Sequence, residues 1–322
     1  MEKLYPLRLS GITKSPIWGG VRLLRDWGKC SDAASVGESW ELTVREKEQC
    51  LVTNGAFRGQ SLNALIALHG AALTGDCFDA TEFPLLIKLL DANDRLSVQV
   101  HPDDEYAARM ENDRGKTEMW YIVDAAPDAE IVCGLAQGVT PDAFANAVTH
   151  GEIEKCLKHQ RVHAGETYFI PAGLPHAIGK GILIAEIQQN CDLTYRVYDY
   201  DRRDARGRPR ELHIQKAIDV IRSFDDTEIE SIRYSHAEKD FDRETLLAHC
   251  AFFRVERHRL SQEEVVLPSR KMIHLLCLQG EATIIHGELS YSVGRGDSWL
   301  IPAGLDRVSL VGDGTVLLSS TH

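Results

Sequence analysis

Gly165-Glu-Thr-Tyr-Phe-Ile-Pro171-Ala-Gly173-Leu-Pro-His176 in the first half of the chain is echoed in the second by Gly296-Asp-Ser-Trp-Leu-Ile-Pro302-Ala-Gly304-Leu-Asp-Arg307. Both stretches follow one frame of glycine, five residues, proline, one residue, glycine, and Ile-Pro-Ala-Gly-Leu is identical in the two. Glycine and proline at these points end a strand in a tight turn, so the echo predicts two structural copies of one β unit. The copies part company at the last position. His176 can give a lone pair to a metal ion, whereas Arg307 stays protonated and cannot. Only the first copy is therefore expected to carry a ligand there, and the second is expected to be structural or to shape the edge of the site.

Outward from this frame, short β-patterned runs dominate: residues 96–101, 119–124, 167–173, 181–188, 272–278, 281–285 and 315–320 are rich in β-branched and aromatic side chains and bounded by Gly, Pro, Asn and Asp. Many short strands with frequent turns favour sandwiches or barrels. Helical patterning is confined to 61–73, with Ser61 as N-cap, 140–159, with Thr140 as cap and Pro141 at the first helical position, and 211–224. With 322 residues there is room for two cores. The expectation is a mainly β chain of two barrels, 1–225 with a small helical insertion at 140–159, and 226–322 without metal ligands.

Composition narrows the function. A 43% hydrophobic, 26% charged chain is globular, and no run approaches the apolar length that spans a bilayer. The formal charge of −12 argues against a wide basic face for nucleic acid. Eight cysteines (Cys30, Cys50, Cys77, Cys133, Cys156, Cys191, Cys250, Cys277) form no C-x-x-C pair, which speaks for reduced thiols rather than a disulfide framework or thiolate zinc site. A cytoplasmic protein, monomeric or homodimeric, without membrane or nucleic-acid partners, is expected.

In the run 96–101, alternation puts Ser97, Gln99 and His101 on one face and Leu96, Val98 and Val100 on the other. Such a stripe marks either surface or a wet cavity. The next β run places Glu118 on the side of Trp120 and Ile122, company more typical of a cavity lining than of a solvated face. Each residue alone is weak evidence: His176 also reads as a turn histidine and His101 as a helix N-terminal residue before Pro102. Together, Gln99, His101, Glu118 and His176 offer two imidazoles, a carboxylate and an amide oxygen, suited to a divalent ion with an open position.

At these residues the chain resembles the type I mannose-6-phosphate isomerases of short bacterial form, a double-cupin family. FPLLIKLLDANDRLSVQVHPDDEYA at 83–107, GKTEMWYIVD at 115–124 and IPAGLPHAIGKGILIAEIQQNCDLTYRVYDYDR at 170–202 carry the likeness, with 17–20 and 37–42 more loosely. The resemblance implies one metal ion, zinc or another divalent ion, held by Gln99, His101, Glu118 and His176. Gln99 departs from the H-x-H of cupins at large while agreeing with this family, and Lys180 stands where cupins at large have Asn. The implied reaction is the aldose–ketose interconversion of mannose 6-phosphate and fructose 6-phosphate. The resemblance further implies Arg196 as stabiliser of an enediolate, Lys116 as an acid/base, and Lys88 and Ser97 as contacts of a small-molecule sugar phosphate. Lys88 also lies among apolar residues and so needs a partner.

Glu186 shares a face with Ile182, Ile184 and Gln188; it matches a pocket glutamate of the family and is either a proton-transfer group or an inward structural partner of Arg196. The arginine-rich run 196–210 reads as a solvated turn in preference to an anion site. Two other classes remain open from sequence: a metal cupin such as an iron dioxygenase, and a catalytically silent sugar-phosphate binder.

Overall fold

In the computed structural model, residues 2–45, 47–75, 83–204, 206–224, 227–228, 233–234, 243–268 and 270–321 are described. Three large antiparallel sheets organise them. A seven-stranded sheet runs in the order Arg233–Tyr234, Thr167–Ile170, Glu118–Ala125, Ile182–Gln189, Leu85–Ala92, Glu38–Leu42, Ile12–Lys14. Facing it is a five-stranded sheet, Leu157–Arg161, Glu130–Leu135, His176–Ile178, Val98–Val100, Tyr195–Tyr198. The eight-stranded third sheet follows the path Leu7–Leu9, Ser298–Ile301, Ile273–His286, Ser309–Ser320, Arg254–Ser261, Glu244–His249, with Val265–Val266 and Leu289–Gly294 attached beside it. The expected mainly β, double-cupin architecture is what forms, and each of the seven expected β runs contains a strand, although 96–101 is strand only over Val98–Val100 and 167–173 only over Thr167–Ile170, while 272–278 and 281–285 share Ile273–His286.

Four apolar clusters show how the layers are held. Trp120, Ile122, Ile178, Ile182 and Ile184 fill the space between the seven- and five-stranded sheets. Leu260, Ile273, Leu275, Val316 and Leu318 fill the C-terminal barrel. Leu85, Ile87, Leu89, Met119 and Ile187, on the outer face of the seven-stranded sheet, pack with Leu247, Val255, Leu276, Leu300 and Leu317. This contact explains why Leu85–Ala92 and Ile182–Gln189 are buried at every position: one face looks into the first barrel and the other onto the second. Each such Leu or Ile contributes about 1.5–3 kcal/mol on leaving water.

The echoed frame has a conformational basis. Gly165 and Gly296 take φ of +90° and +82° just before the strands Thr167–Ile170 and Ser298–Ile301, a region L side chains rarely adopt. Gly173 adds φ +88° and a Cβ there would meet Val220 O at 2.9 Å, whereas at Gly304 only the close approach of Ala72 O, 2.8 Å from such a Cβ, excludes a side chain.

The helical expectations need correction. The segment 140–159 is helical only over Pro141–His150, capped by Thr140 Oγ1 accepting from Ala143 N–H and stopped by Gly151 at φ 72°. A 3₁₀ turn Ile153–Cys156 and the strand Leu157–Arg161 follow. The region 61–73 splits into Leu62–His69 and Ala71–Thr74 at Gly70, and 211–224 is helical only over Ile214–Val220. A further helix, Asp104–Glu111, lies outside the three expected helical regions; Asp103 caps it by accepting from Tyr106 N–H at 3.0 Å, and Asn112 ends it at φ 52°. Phe144, Ile153, Tyr106 and Ala217 cover the outer face of the five-stranded sheet.

The first strand, Leu7–Leu9, pairs with Ser298–Ile301 in the C-terminal sheet although it begins the chain. The boundary expected at 225/226 lies outside the described residues, as does Cys77. The seven described cysteines are free. No helix of the described residues is long and apolar enough to cross a membrane.

Candidate active site

The two facing sheets of the first barrel each contribute one row of side chains. In the five-stranded sheet, Arg196, Gln99 and His176 stand directly opposite one another on three neighbouring strands, so all three project to the same face. In the seven-stranded sheet, Trp40, Lys88, Glu186, Trp120 and Tyr168 form such a row. Glu118, two residues before Trp120, and Gln188, opposite Glu118, lie on the same inner face. His101 follows just beyond the strand Val98–Val100, where Gly173 N–H donates to its carbonyl.

One ligand atom each from His101, Glu118 and His176 lies within 4.8 Å of the other two. His101 Nε2 is 3.6 Å from Glu118 Oε2 and His176 Nε2 is 3.6 Å from Glu118 Oε1. The side-chain amide of Gln99 reaches to 3.3 Å from His176 Nε2; a half turn of that amide exchanges its nitrogen for its oxygen. His176 Nδ1–H donates to Leu174 O at 2.8 Å, which leaves the Nε2 lone pair pointing at the carboxylate. Burial holds both imidazoles neutral: it drives His101 well below its ordinary value, with Lys116 and His176 adding to the effect, and takes His176 down to about 4.

His176 Nε2, an acceptor, thus faces an acceptor oxygen of Glu118, and His101 Nε2 and Glu118 Oε2 are buried with no hydrogen-bond partner. Two nitrogens, a carboxylate and a reachable amide oxygen are a donor set that a divalent cation satisfies, so the residues present fit a metal ion.

Buried charge surrounds the cluster. None of Lys88, His101, Lys116, Glu118, His176 or Glu186 is more than 4% exposed. Lys116 Nζ lies 3.3 Å from Glu118 Oε2. Burial, the largest influence, opposes the Lys116 charge, but the carboxylates of Glu118, Glu186 and Asp192 together outweigh it and raise its pKa. Lys88 Nζ sits 3.6 Å from Glu186 Oε1 and 3.2 Å from Asp192 Oδ1, and against desolvation these carboxylates likewise raise its pKa. Glu186 is pushed up by burial first and by the Glu118 charge second. Trp120 Nε1–H is shared between Glu118 Oε1 at 2.9 Å and Glu186 Oε2 at 3.2 Å, tying the two carboxylates together.

Arg196 is half-buried; its Nε donates to Ser97 Oγ at 3.2 Å and its Nη1 to Glu211 O at 2.8 Å. The alternative in which Glu186 pairs with Arg196 is therefore replaced: the recorded partners of Glu186 are Lys88 and Trp120. Burial, with Arg210 nearby, lowers the Arg196 pKa. In the arginine-rich run, Arg202 and Arg210 converge on Asp199 and Arg208 pairs with Asp204.

All nine residues singled out from sequence belong to this one barrel: Gln99, His101, Glu118, His176, Glu186, Lys88 and Lys116 by the contacts above, and Ser97 and Arg196 through their bond and the register with Gln99. Sequence reasoning passed over Trp120 and Asp192 as functional groups. The indole was visible on the Glu118 face, but the second carboxylate it reaches is 66 positions away.

The fold and donor set define a double cupin with a buried His/Glu site in its N-terminal barrel. Residues 7–141 match the model of the phosphomannose isomerase type I catalytic domain, and residues 242–321 that of the mannose-6-phosphate isomerase cupin domain. Mannose-6-phosphate isomerase ManA of Bacillus subtilis (strain 168) is 39% identical over 319 residues, 98% of each chain. The mannose-6-phosphate isomerase of Streptococcus mutans is 35% identical over 317 residues, again 98% of each. The crystal structure of the mannose 6-phosphate isomerase from Bacillus subtilis superposes with a TM-score of 0.85 at 30% identity, covering 98% of this chain and 99% of that one. The chain belongs to the type I mannose-6-phosphate isomerase family.

Proposed function

We propose that the chain interconverts mannose 6-phosphate and fructose 6-phosphate through an enediol, with one divalent ion, zinc in our reading, held by Gln99, His101, Glu118 and His176. The observation that carries this reading is the buried meeting of His101, Glu118 and His176 beside the raised-pKa carboxyl of Glu186, in a chain matched end to end by isomerases. Such an ion, when bound, polarises the carbonyl and orders the adjacent hydroxyl.

The protein groups divide the remaining work. The reaction moves a proton from C2 to C1 of the sugar and another between O1 and O2. Glu186, with its affinity for protons raised, takes the carbon-bound proton and returns it to the neighbouring carbon. Lys116, kept charged by Glu118 with Glu186 and Asp192, serves as a proton donor to oxygen. Arg196 stabilises the negative charge on the enediolate oxygens, with Ser97 fixing its Nε. Lys88 and Ser97 contact sugar-phosphate oxygens. Residues 1–225 form the catalytic unit and 226–322 a supporting barrel, with the strand Leu7–Leu9 lent to the latter. The enzyme acts in the cytoplasm, as a monomer or homodimer, on a soluble sugar phosphate.

The family match across 98% of the chain favours this reading over an iron dioxygenase or a silent binder. A coupled assay tests it: purified protein converts fructose 6-phosphate to mannose 6-phosphate, loses turnover on chelation and regains it with zinc. Metal-replete protein that turns over neither hexose phosphate would end the proposal.

A further inference from the structure

The C-terminal barrel carries a second group of ligand-type side chains, on strands that the catalytic pocket does not use. The strand Arg254–Ser261 places Glu256 and His258 two residues apart on one face, and Glu244 on the edge strand Glu244–His249 stands directly opposite His258. The opposite neighbours of His258 and Glu256 on the other side are Val316 and Leu318, both in the core of that barrel, so the group projects to its inner side. One ligand atom from each of Glu244, Glu256 and His258 lies within 4.8 Å of the other two.

Two observations say that this group is incomplete as it stands. His258 is 6% exposed and its Nε2 is buried with no hydrogen-bond partner, at 3.7 Å from Glu256 Oε2, too far for a hydrogen bond. Arg254 donates through Nε to Glu256 Oε1 at 2.9 Å, so the other carboxylate oxygen is the one presented to the imidazole. The cluster thus offers a buried nitrogen and carboxylate oxygens around one point, with the exposed Glu244 as an entry from solvent.

We propose that Glu244, Glu256 and His258 form a second divalent-cation site, distinct from the catalytic one. One imidazole and two carboxylates suit a borderline ion such as zinc, with water as a fourth ligand. Following the register outward from the shared glycine-proline frame, the positions that match Glu256 and His258 in the first barrel are Lys88 and Leu90. The second site is therefore no remnant of the first, since it uses other strands of the barrel. Bound there, the ion pins the edge strand Glu244–His249 to its neighbour.

Zinc titration of chelator-stripped, full-length protein against a chromophoric competitor chelator tests this directly. Wild type should take up two equivalents of zinc. His258→Ala and Glu256→Gln should each take one and keep full isomerase turnover after zinc is restored, while His101→Ala should also take one but without turnover. Glu244→Gln, changed at an exposed position that leaves the core untouched, should bind the second equivalent at least tenfold more weakly. A single equivalent in wild type, or two equivalents undiminished in Glu256→Gln and Glu244→Gln, would overturn the proposal.

Discussion

The two barrels are built on one frame and differ in what they bury. Where Ile170 stands opposite Glu118 in the first, Ile301 stands opposite Ile273 in the second; Trp120 and Glu186 are answered by Leu275 and Leu318. His176 is buried against Glu118, whereas Arg307, at the matching place in the echoed motif, is exposed and pairs with Glu264 at 3.0 Å. An aliphatic side chain at each of these points gains free energy from burial alone, while a carboxylate or lysine loses hydration and must recover it from partners. The polar interior of the first barrel is thus a cost accepted for chemistry. Its seven-stranded sheet is backed by the apolar outer face of the second barrel, which keeps the functional strands dry on their other side.

The largest expected effect separates holding the ion from using it. His176→Ala should lose both metal and turnover, the latter by a thousandfold or more, whereas Arg196→Ala should keep its metal and lose about 10²–10³ in kcat. Metal analysis beside steady-state kinetics on the two variants checks this, and metal fully retained in His176→Ala would remove that residue from the ligand set. Next, the comparison can be broken by grafting the first barrel's carboxylate into the second. Ile273→Glu, at the position matching Glu118, should cost about 3–5 kcal/mol, because the carboxylate would be buried within an aliphatic cluster. Urea denaturation measures the loss, and a stability near wild type would mean that the second barrel is wetter than its aliphatic lining implies.

A smaller effect concerns one buried histidine in each barrel. Burial takes His176 to about 4 and His274 to about 3, both below the ordinary 6.5. A histidine whose folded pKa is depressed binds its proton more readily when unfolded. Stability of the metal-free protein is therefore full above pH 6.5 and falls as pH drops toward 4 for His176 and toward 3 for His274, by roughly 3 kcal/mol or more each. His274→Asn should flatten this decline without changing turnover at neutral pH, as urea midpoints across that range would show; an unchanged slope would contradict a neutral His274.

Much of this was legible along the chain because the informative signals were local. Alternation put Gln99 and His101 on one face and Glu118 with Trp120 on another, and the glycine frame located the turn that delivers His176. What depended on tertiary partners was not. The three-residue strand Leu7–Leu9 has no sequence mark of its partner near the other end of the chain. The helix begun at Thr140 is shorter than the pattern over 140–159 suggests, because Gly151 in its left-handed conformation ends it. Asp104–Glu111 is short and mostly polar, so its Asp103 cap is the main local mark of it. Asp192 and Trp120 acquire their roles only when Lys88 and Glu186 arrive from distant strands.

The convergence of four donors in the first barrel is tested most directly by an anomalous difference map from crystals of the protein grown with zinc. A peak at about 2.0–2.3 Å from His101, His176 and Glu118, with the Gln99 amide oxygen facing it, is the expected result. Zinc bound elsewhere in the same crystals while this pocket stays empty would contradict it.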